Sequence, residues 1–101
     1  MTGNTLAPFD AAESLDSDEA IEEFIKAAFE TRDPAFIAKS LGVVARARNM
    51  SALARDIGMS RAALYKALSG ESSPEFATIV KVMNALGIGL TPVFQPKDSA
   101  A

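Results

Sequence analysis

The sequence predicts an all-α domain of about five helices with a short C-terminal β-strand. Three observations carry that prediction. Apolar residues recur at spacings of three and four along most of the chain. Most of these stretches open on Ser or Asp, twice followed by Pro, and several close on Gly. Of the 101 residues, 49% are hydrophobic, enough for one small domain to bury a core.

The elements follow in order. Residues 1–16 carry Gly3, Asn4, Pro8 and several acids, which predicts a flexible acidic arm. Asp16 or Ser17 caps a helix over 17–31 with an acidic first turn, and Ile21, Phe24, Ile25, Ala28 and Phe29 form one apolar stripe. Asp33-Pro34 starts a second helix, which Ile37, Leu41, Val44 and Ala45 carry toward Arg48. Gly42 lies inside it at some cost in helix propensity, which the close passage of another helix would explain. Ser51 is expected to cap ALARDI before the stop at Gly58, and Ser60 to cap RAALYKALS before Gly70. Ser73-Pro74 opens EFATIVKVMNAL, with Phe76, Ile79, Val80, Met83 and Leu86 on one face and Gly87 as terminator. LTPVF then reads as an edge strand, because Pro92 cannot donate to a ladder. The organisation is an arm (1–16), N-terminal helices (17–48), a core of short helices (49–88), and a strand with a tail (89–101). Within 17–48, the helix 17–31 is the partner-facing one and 34–48 the packing one.

Composition narrows the function. The chain has no cysteine and no histidine, so it lacks disulfides, thiolate sites, the commonest metal ligand and the usual general base. Asp16, Asp18, Glu19, Glu22 and Glu23 form an acidic group, but acids are favoured in the first turns of a helix without any metal or acid–base role. No glycine-rich phosphate loop is present. The reading is therefore non-enzymatic, with no cofactor and no metal. No apolar run approaches the ~20 residues that span a bilayer, and MTGNTLAPFDAAE lacks a signal-peptide pattern. A cytoplasmic protein with no membrane partner is expected.

The net charge of −3 hides a strong asymmetry. Residues 1–33 hold nine acids against two bases, a net −7, whereas residues 34–69 hold six bases against one acid, a net +5. Different segments should therefore meet different partners. Within the basic segment, two short helices joined by Gly58-Met59-Ser60 form a helix-turn-helix pattern. Ala54 is small where the helices press together, Gly58 permits the turn, and Leu64 anchors the second helix. At ~100° per residue, Ala63, Leu64, Ala67 and Leu68 fall on the inner face. Arg61, Ala62, Tyr65, Lys66 and Ser69 point outward, as a helix reading a major groove requires. Arg61 suits guanine, since its guanidinium can bond two acceptors there. Tyr65 and Lys66 suit phosphates, and Tyr65 could instead pack on a thymine methyl. Ser51 and Ser60 stand at helix starts, where amides favour phosphate and where a plain cap is equally served. Arg46, Arg48 and Arg55 are candidates for further phosphate contacts. They serve as well to complement helix dipoles or to pair with Asp56 or the acidic arm. The bland alternative for the whole group is a solvated helix face.

The stretch ALARDIGMSRAALYKALSGE resembles the lambda-repressor-like (Xre-type) helix-turn-helix. More narrowly, PFDAAESL, DPAFIAKSLGVVARARNMSALARDIGMSRAALYKALS and PEFATIVKVMNALGI resemble the HigA-like addiction-module antidotes, over roughly residues 8–94. The resemblance implies an antitoxin of a type II module that binds a RelE/ParE-like (HigB-like) toxin and represses its own operon by binding operator DNA. Ala67 departs from the branched residue usual at its inner position, and Leu68 can fill the space. DNA binding by one short helix implies a homodimer, for which Val82 and the strand LTPVF are the candidate surface. The acidic segment 1–33, repelled by phosphate, is assigned to the toxin. Three other functions compete: a stand-alone Xre-type repressor without a toxin partner, a hydrolase using the acidic group, and a helical interaction module whose basic segment is incidental.

Overall fold

Side-chain caps fix the first two helices where the sequence places them. The computed structural model describes residues 15–96, so residues 1–14 of the expected arm and residues 97–101 of the tail lie outside the described residues. Five helices run in order: α1 (Asp18–Glu30), α2 (Pro34–Arg48), α3 (Met50–Ile57), α4 (Arg61–Ala67) and α5 (Phe76–Ala85). The Ser17 hydroxyl accepts from the Ala20 amide at 3.1 Å and so caps α1. The Asp33 carboxylate accepts from the amides of Ala35 and Phe36 at 3.0 and 3.4 Å, and Pro34 follows as the first residue of α2.

The start of α3 differs from expectation. Asn49, not Ser51, is its cap: the Asn49 side chain accepts from the Ala52 amide at 3.0 Å. The helix thereby includes Met50, which is buried, and leaves Ser51 exposed in the first turn. The far end of α3 closes as the sequence suggests. Gly58 takes φ 76°, its amide bonds the Arg55 carbonyl, and the Met59 amide reaches the Ala54 carbonyl at 2.9 Å. Ser60 then caps α4 by accepting from the Ala63 amide at 3.0 Å.

The core is built around α2, whose Leu41, Val44 and Ala45 are fully buried. This helix packs against α1, α3 and α5, and α3 in turn carries α4. From α1 come Ile21, Ile25 and Ala28; Phe24 and Phe29 are half-buried against the cluster. Leu15, inside the segment expected to be an arm, also belongs to the core. From α4 only Leu64 is buried, joined by Leu68 just beyond the helix. Ala63 was expected on the inner face but is exposed, and Ala67 is half-buried. A seven-residue helix presents less than two turns, so one inward leucine and its neighbour four residues on exhaust the contact.

Gly42 sits where Leu68 passes. A Cβ built on it would stand 2.8 Å from the Leu68 carbonyl oxygen and 3.3 Å from the Leu68 Cβ. The neighbour is backbone and cannot swing aside. Gly42→Ala is therefore expected to destabilise by ~1–3 kcal/mol despite alanine's better helix propensity. A urea midpoint equal to or above wild type would contradict this contact.

Two expectations at the C-terminal end are corrected. Helix α5 begins at Phe76, not after Ser73-Pro74, because Glu75 stays extended (φ −65°, ψ 147°) and makes no side-chain cap. Its buried positions are Val82 and Met83, with Ile79, Val80 and Leu86 half-buried and Phe76 71% exposed. Val82 is fully buried, which removes it from any dimer surface. The segment LTPVF forms no strand. A strand exists only as part of a ladder, and among the described residues no second strand offers one.

Candidate functional site

Helix α4 is held from behind by Leu64 and Leu68, and everything polar on it faces solvent. Arg61, Ala62, Tyr65 and Lys66 are exposed, and Ser69 is half-buried at the end of the same face. These five residues, with Glu71, line one shallow depression. The structure thus brings together the five residues assigned from the sequence to this helix. The Ser69 hydroxyl donates to the Lys66 carbonyl at 2.8 Å and accepts from the Glu71 amide at 3.1 Å, so its proton is committed to ending the helix. Sequence reasoning missed Glu71. Its position one residue after Gly70 hides it, because the turn at Gly70 (φ 84°) folds the chain back beside the helix end. A carboxylate there repels phosphate and can accept only from a donor such as a cytosine amino group.

The remaining candidates sit elsewhere. Ser51 is exposed in the first turn of α3, and Arg55 is exposed in its last. Arg46 and Arg48 are exposed in the last turn of α2, where cations complement the helix dipole. Arg48 donates to the Asp18 carboxylate, tying the end of α2 to the start of α1. This is the pairing role that the sequence left open, with α1 as partner. Both side chains are largely exposed, so the pair adds little stability.

Helix α1 presents the opposite charge. Glu19, Glu23 and Glu30 recur at i, i+4 and i+11 along one exposed stripe, with Lys26 among them. Lys26 bonds Glu22 at 3.1 Å, and that hydrogen bond, reinforced by the charge of the same carboxylate, raises the ammonium pKa. Among the described residues no three His, Cys, Asp or Glu side chains gather to hold a metal ion. No helix of the described residues is long and apolar enough to cross a membrane. A second concavity, not anticipated from sequence, runs between α1, α3, the end of α5 and the residues after it. Ile25, Phe29, Leu86 and Val93 line it among others.

Comparison with known proteins places this arrangement in context. The family model described as "probable addiction module antidote protein" matches residues 5–94. An uncharacterized protein of Haemophilus influenzae is 49% identical over 83 residues, which cover 82% of this chain and 86% of that protein. No solved structure matches.

Proposed function

The chain belongs to the addiction-module antidote family, and from that premise we propose that it neutralises a RelE/ParE-like (HigB-like) toxin and represses its own operon. In this reading α3 and α4 are the helix-turn-helix of a lambda-repressor-like, HigA-like domain within residues 49–88, and α4 lies in the major groove of the operator. One observation carries it: a helix anchored by Leu64 and Leu68 gathers Arg61, Tyr65 and Lys66 on its open side. Arg61 reads base edges, Lys66 and Tyr65 hold phosphates, and Ser51, Ser60 and Arg55 add backbone contacts. Two copies bind together, because α4 has seven residues and reaches few base pairs alone. Half-sites then lie about one helical turn, ~34 Å, apart or a multiple of it. The acidic α1 faces the toxin, whose RNA-directed chemistry favours a basic surface.

The test combines co-expression with the product of the adjacent gene and a mobility shift on the DNA upstream. Co-purification of a small basic protein and a sequence-specific shift are both expected. Arg61→Ala should lose ~1–3 kcal/mol on the operator and relax its sequence preference. Lys66→Ala should weaken specific and non-specific DNA alike and flatten the salt slope by about one unit. Folded variants that bind as wild type would remove α4 from the DNA.

A further inference from the structure

We infer that Glu71 sets the specificity of the α4 face: its carboxylate weakens binding to DNA of every sequence and is compensated only where a cytosine amino group stands within reach. The inference rests on the DNA-binding reading above and adds to it a residue that acts by repulsion.

The backbone holds Glu71 in place from two sides. The Ser69 hydroxyl accepts from the Glu71 amide at 3.1 Å and donates to the Lys66 carbonyl at 2.8 Å, which ties the residue to the last turn of α4. On the other side the turn rests on α2. A Cβ built on Gly70 would stand 2.8 Å from the Lys39 Cγ and 3.1 Å from the Ala35 carbonyl oxygen. Gly70 also takes φ 84°, so both its conformation and its surroundings demand glycine. From this braced turn the Glu71 side chain is exposed and lines the same depression as Arg61, Tyr65 and Lys66.

Local physics does not favour a carboxylate there. It follows the C-terminal end of α4, where the helix dipole is negative and cations are preferred. Beside groups that hold phosphates, it raises the energy of every complex in which it meets no donor. Such a repulsive element is how an interface rejects wrong partners. Glutamate also carries its own exception. A carboxylate only accepts, and the donors on the major-groove edges are the amino groups of adenine and cytosine. Adenine sets its amino group beside the N7 acceptor, which repels a carboxylate, whereas cytosine offers a donor alone. The compensated base is therefore cytosine.

The test compares wild type with Glu71→Gln, which keeps the shape and removes the charge, and with Glu71→Ala. Each is titrated with the duplex upstream of its own gene and with a random duplex of equal length. Each is also used to select from duplexes randomised across a half-site. Both variants should keep wild-type helical circular dichroism, with a urea midpoint equal to or above wild type as the clash with the dipole is relieved. Binding to the random duplex is expected to tighten at least ~3-fold. The ratio of upstream to random affinity should fall ~10-fold. Wild type should select a C·G pair at one half-site position that Glu71→Ala leaves open. Equal changes on both duplexes would overturn the inference, because the carboxylate would then act on charge alone. No change on either duplex would overturn it by placing Glu71 off the DNA. A wild type without any sequence-specific shift would instead remove the DNA-binding reading itself, and this inference with it.

Discussion

Truncating Leu64 to alanine is expected to cost ~2–5 kcal/mol, a large share of the ~5–15 kcal/mol that stabilises a domain of this size. Leu64 is fully buried and is the one buried residue within α4. Isolated helices shorter than ~12–15 residues are marginal in water, so the seven residues of α4 persist only through packing. Removing the leucine leaves a cavity between α4 and the helices beneath it. The urea midpoint should fall with little change in slope, and operator affinity should fall with it as the helix loosens. A loss below about 1 kcal/mol would mean that Leu68 alone holds the helix.

Reversing Glu19 and Glu23 to lysine is expected to slow association with the toxin at least ~10-fold at low ionic strength. Both carboxylates are exposed on the outer stripe of α1, and the hydrogen bond of Lys26 goes to Glu22. Folding should be nearly unaffected, apart from ~0.3–1 kcal/mol for the loss of Glu19 from the first turn. Stopped-flow association at several salt concentrations is the measurement, and the difference from wild type should shrink as salt rises. An unchanged rate at low salt would move the toxin contact off α1. Deleting residues 1–32 is a poorer experiment, because Ile21, Ile25 and Ala28 are core residues and their loss would open the domain.

Where a single residue type decides the backbone, the structure was legible from the sequence. Ser17, Asp33-Pro34, Gly58, Ser60 and Gly87 mark helix ends correctly because capping and positive φ depend on the residue itself. The close pass at Gly42 was legible for the same reason. Competing signals were not resolved this way. Asn49 and Ser51 are both good caps two residues apart, and burial of Met50 chose between them. The inner face of α5 was misjudged because FATIVKVM is apolar on nearly every side. Periodicity there shows that a helix forms, while α2 and α3 decide which side faces in. LTPVF has strand composition without a partner strand, and composition cannot supply one. Of the candidate site, the exposure of Arg61, Ala62, Tyr65 and Lys66 was legible from helical arithmetic, whereas Ala63, placed inward by the same arithmetic, is exposed. Glu71 and the Arg48–Asp18 pair required the tertiary fold.

The order in which the helices touch bears on how quickly the protein can be supplied. α1 packs on α2, α2 on α3 and α3 on α4, each its neighbour in sequence, while α5 reaches back to α2 and α3, and Leu68 at the end of α4 reaches back to Gly42 of α2. Few long loops must close before contacts form, and helical domains of this kind reach their native state in microseconds to milliseconds. Synthesis of even this short chain takes seconds at ~5–20 residues per second. The time from message to working antidote is then governed by translation. A cell that stops translating loses replenishment at once, and one that resumes it regains a folded molecule almost as each chain is released.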